Sequence, residues 1–238
     1  MNQTKMTLVA VGDSLTEGVG DPGPGGLRGW IHYLTRGSDA AAGLTLVANL
    51  ARRGAAVADV RHHQLDQVAA LTPDIVACAI GVNDVLGRFF DSVVFEQDYD
   101  HVVGALAEVA GRGVLTMTLH DVASGLPLPR DKRVVLRRRV EQANTAIERV
   151  SERHGAWMVD ARAATPMNQA GMLSIDRLHP NRRGHRYIAA CAVNVLRDHD
   201  AVGGMNLGGG YRPLTRWCGG SQRTPGICCG SLGTSPCR

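Results

Sequence analysis

The chain has 238 residues, a length that buries one good α/β core more readily than two small ones. Its formal net charge is +4, and Arg212, Arg216, Arg223 and Arg238, in an acid-free stretch after position 202, account for the whole excess. The body is therefore neutral, which gives no electrostatic footprint for nucleic acid, and no apolar run is long enough to span a bilayer as a helix.

Residues 1–5 lead straight into an apolar run, and a strand is expected over 7–11. Removing that run as a signal peptide would remove the first strand, so a cytoplasmic location is expected. The strand runs into Val11-Gly12-Asp13-Ser14-Leu15-Thr16-Glu17-Gly18, with a short helix predicted over 15–18. A serine where a buried strand gives way to a helix offers a hydroxyl to solvent and a free backbone N–H beside it. Acyl transfer needs both, as nucleophile and oxyanion donor. Gly20-Asp21-Pro22-Gly23-Pro24-Gly25-Gly26 follows as a loop, then a helix over 29–36 and a strand over 44–48.

Asn49-Leu50-Ala51-Arg52-Arg53-Gly54 leaves that strand, and a single helix is predicted over 55–69. An apolar strand over 75–80, fit for burial on both faces, ends at Gly81-Val82-Asn83-Asp84. Ser14, Gly54 and Asn83 thus all follow strand ends, which form the ligand crevice of an open parallel sheet. Gly54 lets a backbone N–H approach a substrate oxygen, although an ordinary turn also suits a glycine. Asn83 carries a neutral NH₂ donor suited to an oxyanion, although it could instead cap the following helix. The loop over 86–95 holds all three phenylalanines, Phe89, Phe90 and Phe95, which suit either an acyl pocket or helix packing.

A helix over 98–110 and a strand over 114–119 come next, then a loop in which Leu126-Pro127-Leu128-Pro129 would make a stiff apolar rim. The helix over 131–153 carries an amphipathic stripe of Leu136, Val140, Ala143, Ile147 and Val150. Arg130, Lys132, Arg133, Arg137, Arg138 and Arg139 at its start read as a solvated face in preference to a docking patch. A strand over 157–160 precedes Asp176-Arg177-Leu178-His179-Pro180, and a last helix is expected over 183–197. His179 can take the Ser14 proton and return it to the leaving group; Asp176 can hold the other ring nitrogen.

The alternation of strands and helices implies a three-layer α/β/α, flavodoxin-like fold around a central parallel sheet of about five strands. One domain is expected over 1–202. The remainder, 203–238, is rich in Gly, Arg and Cys, lacks apolar periodicity, and is expected to be disordered. Cys78 and Cys191 are expected to be buried; Cys218, Cys228, Cys229 and Cys237 lack the spacing of a zinc site.

On Gly12-Asp13-Ser14-Leu15, Gly54, Gly81-Val82-Asn83-Asp84 and Asp176-Arg177-Leu178-His179, the chain resembles the SGNH, or GDSL-type, hydrolases of the bacterial esterase type. The likeness runs from about residue 7 to about 197. It implies Ser14, Asp176 and His179 as the triad, and an oxyanion hole of Ser14 N–H, Gly54 N–H and the Asn83 side chain. Asp13, Asp84, Leu86, Phe89 and Phe90 are expected on the substrate side. No metal or organic cofactor is expected, since the oxyanion hole supplies the electrophilic help. The expected partner is a small-molecule ester with a short or medium acyl chain, cleaved through an acyl-enzyme on Ser14. Sugar O-acetylesterase, thioesterase or lysophospholipase activity on the same site stays open. So do acyl transfer to an alcohol and a non-catalytic acyl- or lipid-binding role. The α/β-hydrolase elbow G-x-S-x-G fits less well, because Thr16 holds the place of its second glycine.

Overall fold

Apolar runs with turn residues at their carboxyl ends pair into one parallel sheet in the computed structural model, which describes residues 6–36, 43–162 and 165–202. In chain order the elements are β1 (Met6–Gly12), α1 (Ser14–Glu17), β2 (Pro22–Gly23), β3 (Gly26–Leu27), α2 (Gly29–Thr35) and β4 (Leu44–Asn49). There follow α3 (Val57–His63), α4 (Leu65–Leu71), β5 (Ile75–Ala79), α5 (Val82–Leu86), α6 (Ser92–Val109) and β6 (Gly113–Met117). The series closes with α7 (Val122–Gly125), α8 (Arg130–Arg153), β7 (Trp157–Val159) and α9 (Arg182–Asp198).

The five-stranded sheet has the order β4-β1-β5-β6-β7, and every pairing in it is parallel. The chain steps from β1 to β4 on one side, then crosses to β5 on the other. The crevice outside the carboxyl ends of β1 and β5 is therefore the topological switch point, where α/β sheets bind ligands. Helices cover both faces. α2 and α9 share a cluster with Leu8, Ala10, Ile75 and Ala77; α3, α4, α6 and α8 share another with Val9, Val11, Val76 and Cys78. Alternate residues of β1 and β5 thus feed opposite layers, as the period of a strand demands.

Two departures from the sequence pattern bear on the site. The helix expected over 55–69 is two helices, α3 and α4, broken at Gln64. The Gln64 side chain turns inward and brackets Gly12, accepting from its N–H at 2.9 Å and donating to its carbonyl at 3.0 Å. The helix expected over 98–110 begins six residues earlier, at Ser92, because Asp91 Oδ1 accepts from Val93 N–H at 2.8 Å and caps it. A small antiparallel hairpin, β2 with β3, also folds the loop over 20–26. Cys78 and Cys191 are buried and unbridged, whereas residues 203–238 and their cysteines lie outside the described residues. Among the described residues, no helix is long and apolar enough to cross a membrane.

Candidate active site

Ser14 is the first residue of α1, directly after β1. Asp13 caps that helix, its Oδ1 accepting from Leu15 N–H at 2.9 Å. A first-turn N–H has no intrahelical acceptor, so the Ser14 amide is free to face the crevice. The β1 end is fixed from the side by Gln64 and by Arg52 N–H donating to the Gly12 carbonyl at 3.1 Å.

His179 comes from the segment between β7 and α9. Its Nε2 lies 2.8 Å from Ser14 Oγ and its Nδ1 2.6 Å from Asp176 Oδ2. The other oxygen, Asp176 Oδ1, accepts from the N–H groups of Leu178 and His179, both at 3.0 Å, and from Ser174 Oγ at 3.2 Å. Desolvation pushes the Asp176 pKa up, but the His179 side chain and the two backbone donors outweigh it and hold it at about 2. Asp176 thus stays ionised wherever an imidazole needs an anionic partner. The segment closes on itself through Ser174 N–H to His179 C=O at 2.8 Å and a bridge between Leu173 and Pro180. Asn181 caps α9 and donates to the carbonyls of Gly171 and Leu173, each at 3.0 Å.

The three strand-end loops are tied together. Asn83 Nδ2 donates to the Ala55 carbonyl at 2.8 Å, and Asn49 Nδ2 to the Thr16 carbonyl at 2.8 Å. Gly81, not Asn83, stands at the N-cap of α5, so Asn83 keeps one amide proton for a ligand and does not cap its helix. Gly54 has φ +81°, a conformation that glycine adopts freely, and its N–H has no partner among the described residues. Space beside its Cα is open, with nothing within 4 Å of where a Cβ would sit.

The residues expected on the substrate side take different places. Asp13 is 1% exposed and serves as a cap, its Oδ2 left without a partner. Burial pushes its pKa up to about 7. Asp84 turns its carboxylate to Val57 N–H, at 3.3 and 3.2 Å, and so holds the loop carrying Gly54; burial raises it to about 6. The phenylalanines divide between core and surface. Phe95 falls in the first turn of α6 and stacks on Tyr99 at 5.8 Å in the core, with Phe90 tilted against it at 5.8 Å. Phe89 is 87% exposed under the Arg88 guanidinium, and Leu86 also lies at the surface.

Sequence reasoning missed Gln64, Ser174 and Arg139. Arg139 Nη1 donates to the carbonyls of Val85 and Gly87, at 3.1 and 2.7 Å, and pins the end of the helix that carries Asn83. It also missed His120, a buried side chain at the end of β6 whose Nε2 has no partner and whose pKa burial lowers to about 4. No group of three or more His, Cys, Asp or Glu side chains among the described residues is placed to hold a metal ion.

A family model, that of the GDSL-like lipase/acylhydrolases, matches residues 10–187. The chain belongs to that family. The match takes in every residue of the site just described, and it makes this GDSL-family chain an esterase-type hydrolase. It is 26% identical to an acetylxylan esterase of Geobacillus stearothermophilus over 213 residues, covering 79% of this chain and 93% of that protein. The fold matches an alpha/beta hydrolase enzyme from the metagenome of Lake Arreo, Spain, with a TM-score of 0.64 at 24% identity, over 85% and 99% of the two chains. It also matches the lipase/acylhydrolase of Enterococcus faecalis, with a TM-score of 0.64 at 19% identity, over 81% and 96%.

Proposed function

We propose that the chain is a serine carboxylic-ester hydrolase that works through an acyl-enzyme on Ser14. The observation that carries this is the unbroken relay Ser14 Oγ, His179 Nε2, His179 Nδ1, Asp176 Oδ2, with links of 2.8 and 2.6 Å. His179 takes the Ser14 proton as Oγ bonds to the ester carbonyl carbon. The oxyanion is met by the N–H groups of Ser14 and Gly54 and by Asn83 Nδ2. The C–O bond to the alcohol then breaks, and His179 gives its proton to the leaving oxygen. Water attacks the acyl-enzyme, His179 takes one of its protons, the Oγ–C bond breaks, and the acid leaves with Ser14 reprotonated. The substrate is an ester of a short or medium acyl chain.

Support also comes from the acetylxylan esterase. Solved catalytic mutants of that enzyme replace a serine, an aspartate and a histidine by alanine, with the last two three positions apart. Asp176 and His179 share that spacing. The same relative favours a second reading, a carbohydrate O-acetylesterase on the identical machinery.

The test is turnover of 4-nitrophenyl acetate, butyrate and octanoate and of acetylated xylo-oligosaccharide, by wild type and Ser14→Ala. The first reading expects the nitrophenyl esters to be hydrolysed and the variant to lose on the order of 10⁶ in rate. A kcat/KM higher on the acetylated sugar than on any simple ester moves the assignment to the second reading. Turnover within tenfold of wild type in a folded Ser14→Ala protein refutes both.

A further inference from the structure

Helices that follow the strands of a parallel sheet begin at the strands' carboxyl ends, the end where Ser14, Gly54 and Asn83 lie. Among the described residues, the large apolar side chains left exposed gather at that end. Leu86 and Phe89 follow Asn83, Val93 and Val94 open α6, and Val134 and Val135 stand in the first two turns of α8. Val93 is 62% exposed and Val134 61%, so neither belongs to the core stripe of its helix. Ile175, beside Asp176, is at the same end, as is Leu27 just ahead of α2. Of this described set only Val47, in the edge strand β4, is placed elsewhere. Single exposed apolar residues are ordinary, but their collection at one end marks a surface that meets something.

The segments that carry most of these side chains are tied to each other. Arg139 donates to the carbonyls of Val85, Gly87 and Arg88, at 3.1, 2.7 and 3.4 Å, and Val135 lies one turn before Arg139 on the same side of α8. Arg149 pairs with Glu96 at 3.2 Å, which sets α8 alongside α6. Cations accompany the apolar group. Arg88, Arg130, Lys132 and Arg138 are exposed, and none has an ion-pair partner among the described residues. The acids of 86–95 and 121–139 are mostly engaged: Asp91 caps α6 and Asp121 pairs with Arg137, which leaves Asp131.

We propose that this rim docks the protein on an anionic lipid surface, with Phe89 and the exposed valines entering the headgroup layer and Arg88, Arg130, Lys132 and Arg138 meeting the lipid anions. Docking of this kind combines buried apolar area with the attraction of Lys and Arg to anionic lipid. Long basic side chains cover apolar surface with their stems while holding their charges at headgroup level. The cations argue against a second copy of this chain on the same face, since a twofold pairing would bring like charges together. Docked in this way, the end that carries Ser14 turns toward the membrane. The proposal concerns where the protein sits, so it stands or falls apart from the hydrolase reading.

The test is cosedimentation of the full chain with sucrose-loaded vesicles of phosphatidylcholine, alone or mixed in equal parts with phosphatidylserine. The wild type should pellet with the mixed vesicles, stay in solution with phosphatidylcholine, and be released from the mixed vesicles as salt is raised. Each basic residue near a charged surface is worth about fivefold in binding, so Arg88→Gln, Lys132→Gln and Arg138→Gln together should weaken it roughly 100-fold. Phe89→Ser, at an exposed position, should weaken it roughly tenfold with the charges intact. Wild-type protein that stays in solution with the mixed vesicles, or that binds both vesicles alike whatever the salt, overturns the proposal without need of a variant. So does wild-type binding by the folded variants, which would place the contact elsewhere, such as the basic stretch after position 202. Self-association without vesicles that Phe89→Ser abolishes overturns it too, and makes the rim an interface between copies.

Discussion

Replacing Gln64 by leucine isolates the device that holds the strand end before Ser14. The side chain is 1% exposed and makes two hydrogen bonds to one residue, Gly12, at 2.9 and 3.0 Å. The consequences for the two backbone groups differ. The Gly12 carbonyl also accepts from Arg52 N–H at 3.1 Å and stays satisfied without Gln64. Gly12 N–H has Gln64 Oε1 as its partner and is left buried and unpaired. An orphaned buried donor costs about 1–3 kcal/mol, and the second bond adds about 0.5–1.5 kcal/mol. The expected loss is therefore roughly 2–4 kcal/mol, or a Tm lower by roughly 5–15 °C in a domain of this size. Gly12 stands two residues before Ser14, so on the proposed mechanism kcat should fall as well, with KM less affected, because Ser14 is displaced and the substrate walls are not. Thermal melts and steady-state hydrolysis of 4-nitrophenyl acetate on the same sample read both. A Gln64→Leu protein with wild-type Tm and wild-type kcat refutes the bracing role.

Gly20→Ala should lower kcat at least tenfold, because its Cβ would lie 2.1 Å from the Pro180 carbonyl oxygen and 3.3 Å from His179 Cβ; near-normal kinetics would contradict this packing. Asn83→Ala should lower kcat by about 10²–10³ while Tm falls by a few degrees at most, since one hydrogen bond to Ala55 is its structural share. A large loss of Tm with kcat intact would make Asn83 structural instead. Asp13 has a folded pKa of about 7 against an ordinary 3.8, so its share of stability is complete below about pH 4 and is lost as pH rises through 7. Asp13→Asn keeps the capping oxygen. Its Tm should gain on wild type from pH 5 to pH 8, and a constant difference across that range would show that Asp13 does not titrate there.

The sheet was legible because its apolar runs are short, bounded by turn residues and separated by helical patterns. β1, β4, β5, β6 and β7 all fall within two residues of expectation at each end. The convergence of the candidate site's loops was legible for a related reason. Ser14, Gly54 and Asn83 follow strand ends, and a parallel sheet brings such ends together whatever their distance in sequence. What escaped was tertiary. Gln64 sits in an unbroken helical pattern, and only the open N–H of Gly12 draws it inward. The phenylalanines over 86–95 suited an acyl pocket or helix packing equally, and packing holds for Phe95, because Asp91 starts α6 early enough to turn it onto Tyr99. The run of cations at the start of α8 read as a solvated face. Yet Arg133 and Arg139 spend donors on loop carbonyls, and Arg137 pairs with Asp121 at 3.0 Å.

Trapping the acyl-enzyme tests the central claim most directly. The protein is mixed with 4-nitrophenyl acetate at acid pH, where attack of water on the acyl-enzyme is slow. It is then quenched, digested and read by mass spectrometry. One acetyl group should appear on the peptide containing Ser14, vanish in Ser14→Ala, and decay on return to neutral pH at the steady-state rate. An acetyl group on any other residue, or turnover by folded Ser14→Ala within tenfold of wild type, would contradict the account.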